Sequence, residues 1–110
     1  MLKSERKGSC VRVALCGEID HCSAQNMRLD IENAVHDPKI KTLVLDFSDV
    51  SFMDSSGVGM LIGRYKTMKE RGGSVSAVGL NAQVEKLFRL AGLHRIISIG
   101  EMAKEDANEE

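Results

Sequence analysis

A nearly unbroken apolar run, Leu43-Val44-Leu45-Asp46-Phe47, stands between two segments whose apolar residues recur every three or four positions. A run this short, with a β-branched and an aromatic residue in it, is expected to be a strand covered on both faces and central in its sheet. The segment before it places Ala24, Met27, Ile31, Ala34 and Val35 on one side of a helix with Ser23 as N-cap. The segment after it does the same with Val58, Leu61, Ile62, Tyr65 and Met68. Asp37-Pro38 stops the first helix, because the residue before proline is pushed out of the α region, and Gly72-Gly73 stops the second. Helix, strand and helix in succession call for crossover connections and a sheet of mainly parallel strands.

The rest of the chain extends this alternation. Val11, Val13 and Leu15 alternate with Cys10, Arg12 and Ala14, the period of a strand with one better-buried face, and Gly17 is expected to end it. The Lys7-Gly8 step allows a short first strand to turn back on it, which makes the sheet mixed. Residues 48–53 read as a loop and residues 74–80 as a further strand. Asn81 caps a helix carrying Val84, Leu87, Phe88 and Ala91, with Gly92 as its left-handed stop and Leu93 folding back. Ile96-Ile97-Ser98-Ile99 is the last strand. The expected fold is α/β, one domain over residues 1–100, with a mixed sheet of four to five strands covered by helices. Residues 101–110 form an acidic tail, frayed or weakly helical.

Fifteen Lys and Arg against sixteen Asp and Glu leave a formal charge of −1, so there is no overall basic footprint for nucleic acid or an anionic membrane. No apolar stretch approaches the ~20 residues that span a bilayer, and the first residues lack a signal-peptide core, so a cytoplasmic protein is expected. Cys10, Cys16 and Cys22 are odd in number and form no CxxC pair, which leaves reduced thiols and no metal site. Enzyme motifs fail as well. Ser55-Ser56-Gly57-Val58-Gly59 is not a GxSxG elbow, the glycines do not form a phosphate loop, and His21, His36 and His94 lie in separate segments.

What remains is Phe52-Met53-Asp54-Ser55-Ser56-Gly57-Val58-Gly59, two hydroxyls where a helix begins. Unpaired N–H groups and a partial positive charge at that point would stabilise a phosphate on such a serine. The plainer alternative is that Asp54 or Ser55 is only an N-cap, worth ~1 kcal/mol. Laid out at the helical period, the second helix places Met60 opposite its core stripe, beside Ser56, Gly59, Gly63 and Thr67. A smooth face of small residues with one flexible Met suits protein docking. Single exposed apolar residues are, equally, ordinary on protein surfaces.

These segments resemble a known family. Gly17-Glu18-Ile19-Asp20-His21, Leu43-Val44-Leu45-Asp46-Phe47, residues 51–59 and the Gly63-Arg64-Tyr65-Lys66 ending are together similar to a STAS domain, and more narrowly to the anti-sigma factor antagonists of the sporulation branch. The resemblance runs from about Cys10 to Ile99. It implies a regulatory binding protein that takes up an anti-sigma factor serine kinase when unphosphorylated and so frees a sporulation sigma factor. The kinase would use ATP to phosphorylate Ser55, a serine phosphatase would reverse it, and the domain itself would need no cofactor. Asp20 would meet a basic group of the kinase, and Asp54, Ser56, Gly57, Gly59 and Met60 would complete the contact surface of a monomer. A general-stress antagonist, an enzyme with Ser55 or Ser56 as nucleophile, and a nucleotide sensor are the competing readings.

Overall fold

The structure is a computed structural model and describes residues 2–100. The elements are β1 (Lys3–Lys7), β2 (Cys10–Ile19), α1 (His21–Ala34), β3 (Thr42–Met53), α2 (Ser55–Glu70), β4 (Ser74–Val78), α3 (Ala82–Leu90), a 3-10 turn (Leu93–Arg95) and β5 (Ser98–Gly100). Gly8, at φ 60, turns β1 back against β2 in antiparallel register, and every later neighbour pair is parallel, in the order β1-β2-β3-β4-β5. The expected mixed sheet is therefore present, with β3 at its centre. The acidic tail, residues 101–110, lies outside the described residues.

Right-handed crossovers that step steadily across a sheet stack their helices on the same face. The burial pattern agrees: Val11, Val13, Leu15, Leu43, Leu45, Phe47, Val75 and Ala77 are buried, and they join helix residues such as Ile31, Leu61 and Phe88 in a continuous core. Phe88 of α3 meets Phe47 edge to face at 5.6 Å. The alternate residues of β3, Thr42, Val44 and Asp46, are only half-buried. The central strand is thus covered on one face, not on both, and its other face carries the Arg12–Asp46 pair at 3.4 Å.

Several boundaries move for identifiable reasons. β2 continues past Gly17, which takes φ 81 beside a register shift, and residues 48–53 are not a loop but the second half of β3. The N-cap of α1 is Asp20, not Ser23: Ser23 sits at the third helical position and returns the bond, its N–H donating to Asp20 Oδ1 at 2.9 Å while its Oγ accepts the Asp20 N–H at 2.9 Å. The last strand begins only at Ser98, because Leu93–Arg95 first makes a tight turn. The end of α2 follows expectation. Gly72 takes φ 76, and the N–H of Gly73 donates to the Met68 carbonyl at 2.8 Å, a Schellman closure.

The largest correction concerns the buried side of α2. Helices stacked on one face also pack against each other, so α2 turns part of its surface toward α1. Gly57, Met60, Leu61, Arg64 and Met68 are buried, while Val58, Ile62 and Tyr65, expected in the core stripe, are half-buried. Met60 is 6% exposed and does not lie on a solvent face. Arg64, with a side chain 9% exposed, reaches Glu32 of α1 at 3.0 Å, and its Nε finds no partner. Burial pushes the Arg64 pKa down and Glu32 pulls it back up. Glu32 is half exposed, so the pair desolvates Arg64 alone, and with a donor left unsatisfied it contributes little net stability. Arg64→Met is therefore expected to melt at or above the wild-type temperature, since Glu32 keeps Arg28 at 3.7 Å. A thermal melt showing a clear loss would assign the pair a stabilising role.

Candidate functional site

The three helices begin at the same end of the sheet, where β2, β3 and β4 finish, and each start is capped by a side chain. Asp20 accepts from the Ser23 N–H at 2.9 Å, Asp54 from the Ser56 N–H at 2.8 Å, and Asn81 from the Val84 N–H at 2.9 Å. The backbone N–H of Asp54 donates to the Ile19 carbonyl at 3.0 Å, which ties the mouth of α2 to the end of β2. Asp20 and Asp54 are thereby fixed on adjoining segments. The cap of α2 is Asp54, so Ser55 has no capping duty. Ser55 is the first helical residue and is exposed, whereas Ser56 is half-buried.

The residues expected at the site do not all share one environment. Ser55, Asp20 and Gly59 are exposed and Asp54 is half-buried. Ser56, Gly59 and Met60 line a groove of about 290 Å³ between α2 and α1, opposite His21, Ala24, Gln25 and Arg28. Met60 forms part of that groove as a buried side chain held between the helices. Gly57 is buried and serves as a packing position: a Cβ there would lie 2.5 Å from Met53 Cγ and Sδ and 3.0 Å from Ile19 Cγ2. Glycine thus lets the first turn of α2 close on the Met53 and Ile19 side chains, which any larger residue would have to displace.

The Ser23 N–H, followed by its hydroxyl, holds the Asp20 carboxyl below the usual carboxylate range. Its contribution to the α1 cap is present above the unfolded pKa, near 4, and is lost as pH falls through the lower folded value. Capping and recognition can be separated at this residue. Asparagine caps a helix as well as aspartate does, so Asp20→Asn should keep the melting temperature. If the carboxylate meets a basic partner group, the same variant loses affinity chiefly at low salt. Equal affinity at 50 mM and 500 mM salt, in both proteins, would remove Asp20 from the interface.

Sequence reasoning missed the supports of this site. Gln83 of α3 clasps the backbone of Met53 from both sides, its Oε1 accepting the N–H at 3.1 Å and its Nε2 donating to the carbonyl at 2.9 Å. Asn81 Nδ2 donates to the carbonyls of Val50 and Ser51 at 3.2 and 3.3 Å. Nothing in the local pattern marks either contact, since both partners are some thirty residues away in sequence. Among the described residues no helix is long and apolar enough to cross a membrane, and no cluster of His, Cys, Asp and Glu is placed to hold a metal.

Comparison with known proteins fits this geometry. The STAS domain family matches residues 1–106. The chain is 32% identical over 98 residues to the anti-sigma F factor antagonist of Paenibacillus polymyxa, covering 89% of this chain and 84% of that one. It is 35% identical over 89 residues to the anti-sigma-B factor antagonist of Bacillus subtilis, covering 81% and 80%. The fold matches the anti-sigma factor antagonist SpoIIAA in its unphosphorylated form, with a TM-score of 0.80, 27% identity and coverage of 98% and 95%. It also matches the Bacillus cell fate determinant SpoIIAA in the phosphorylated form, with a TM-score of 0.73, 25% identity and full coverage of both chains. The chain belongs to the STAS domain family, beside its anti-sigma factor antagonists, which are regulatory binding proteins and not enzymes.

Proposed function

We propose that this domain is an anti-sigma factor antagonist that works by exchange of partners. Unphosphorylated, it binds an anti-sigma factor serine kinase in the cytoplasm as a monomer, and a sporulation sigma factor is released. The kinase spends its ATP on Ser55, the phosphate ends the binding, and a serine phosphatase restores the active form. The observation that carries this reading is the placement of Ser55: exposed, first in α2, relieved of capping by Asp54, and set on a backbone pinned by Gln83 and by Ile19. A dianion gained there meets the Asp54 carboxylate and would have to be desolvated beneath a bound protein. The related SpoIIAA exists in both an unphosphorylated and a phosphorylated form, which supports the same reading here.

Incubation with ATP and the serine kinase, followed by mapping of the phosphate by mass spectrometry, tests the assignment. Phosphate on Ser55 is expected; phosphate on Ser56, or none, defeats it. A second reading has support of comparable weight. The similarity to an anti-sigma-B factor antagonist favours a general-stress sigma factor in place of a sporulation one. Affinity capture with Ser55→Ala as bait, and identification of the kinase that it retains, distinguishes the two branches.

A further inference from the structure

The second half of β3 departs from strand alternation, and the departure has a physical source. Along β2, Ala14 pairs with Asp46 and Cys16 with Asp49; further on, Gly17 pairs with Val50 and Glu18 with Phe52. Each step leaves one extra residue on β3, so the strand carries two bulges. A bulge re-aims the side chains that follow it. Burial consequently recurs every third residue, at Phe47, Val50 and Met53, while Ser48, Asp49, Ser51 and Phe52 face outward. If these residues alternated regularly, with no second bulge, Phe52 would share the inward face of Val50. With it, Met53 is 1% exposed and Phe52 is 43% exposed.

The outward Phe52 lies next to the mouth of α2, on a backbone pinned on either side of it. Asn81 bonds the carbonyls of Val50 and Ser51 on one side of it, and Gln83 bonds both backbone groups of Met53 on the other. Carboxylates are concentrated in the neighbouring segments: Glu18 directly opposite on β2, Asp20 two residues beyond it, and Asp49 and the half-buried Asp54 within three residues of Phe52 along the chain. Interfaces take much of their affinity from a few aromatic side chains presented on preorganised backbone and ringed by polar groups. Acidic surroundings select a partner of opposite charge.

We propose that Phe52 is the apolar anchor of this surface, seated in an apolar pocket that basic side chains of the partner surround. The partner is the anti-sigma factor of the preceding section, on whose binding this inference rests; the anchor role is additional to the Ser55 switch. Phe52 supplies buried area, and the carboxylates supply register and encounter rate.

The test is titration calorimetry of the full chain with the purified anti-sigma factor, using four variants. Phe52→Ala is expected to bind about 30-fold more weakly or worse, with a melting temperature close to wild type because the ring is half in solvent. Phe52→Tyr, which keeps the ring, should remain within about threefold of wild type. Leu90→Ala, on the exposed face of α3 and itself 76% exposed, should bind as wild type. Ser55→Glu serves as the control for the switch. If Phe52→Ala binds within about threefold of wild type while Ser55→Glu has lost binding, the anchor is overturned and the switch stands. If Leu90→Ala loses affinity and Phe52→Ala does not, the apolar contact lies on α3 and the proposal is again overturned. If Phe52→Ala weakens binding and Ser55→Glu does not, the anchor stands and the phosphorylation reading fails.

Discussion

Ser55→Glu is expected to weaken binding of the anti-sigma factor about a hundredfold, a loss of about 3 kcal/mol, whereas Ser55→Ala should bind as tightly as the unmodified protein and release sigma factor permanently. The asymmetry follows from what surrounds the hydroxyl. Ser55 is exposed and makes no capping bond, so removing its Oγ leaves nothing unsatisfied within the domain. An added carboxylate, by contrast, sits beside Asp54 and must be stripped of water once a partner covers it. The fold should not respond, because the cap, the Gly57 approach and the Gln83 clasp do not involve the Ser55 side chain. Calorimetry gives the affinities, and amide spectra of the free protein in the two states should differ only around the mouth of α2. Equal binding by both variants would show that charge at this position is not the switch.

Met60→Lys carries the second large expectation, and it is one of stability. On a solvent face this change would weaken docking and leave folding alone. Met60 is instead 6% exposed, in the seam where α2 meets α1. Loss of its apolar burial and the desolvation of an ammonium group together point to a cost of about 2–4 kcal/mol, limited because the lysine stem can extend along the groove. For a domain of this size that is a fall in melting temperature of roughly 10 °C or more. Met60→Leu, which conserves volume, should cost less than about 1.5 kcal/mol. A Met60→Lys protein that melts like wild type would return the residue to the surface.

These outcomes mark where the sequence was legible. Segments that obey a single period are legible: the alternation of Val11, Val13 and Leu15, and the stripe and stop of α3 at Val84, Phe88 and Gly92; the apolar run at 43–47 is legible as a central strand but not in its covering, which is on one face only. The Lys7-Gly8 turn and the stop of α2 are legible because Gly8 and Gly72 both take the left-handed conformation. Errors arose where two partners compete for one element. α2 answers to the sheet and to α1 together: Leu61 and Met68 of the expected stripe are buried and Val58, Ile62 and Tyr65 pack half-buried against the core, while Met60, expected on the outer side, is buried toward α1. Residues 48–53 carry two bulges and obey no period of two, so they resembled a loop. Within the candidate site, the exposed Ser55 and the capping Asp54 were accessible to local reasoning. Gly57, expected in the contact surface, is buried against Met53 and Ile19, and Gln83 carries no local mark because only the fold brings α3 to β3.

The second bulge sets how this end of β3 responds to a change of length. A single residue lost from the interior of a strand ordinarily turns every later side chain to the opposite face. Here the extra residue can be given up: without Ser51, Val50 stays opposite Gly17 and Phe52 opposite Glu18, and Met53 still meets Ile19 facing inward. Deleting both Ser51 and Phe52 removes one residue more than the bulge holds, turns Met53 outward and draws Asp54 away from the Ile19 carbonyl that anchors the start of α2. The stretch thus carries one residue of slack and no more, and beyond it the serine leaves its station.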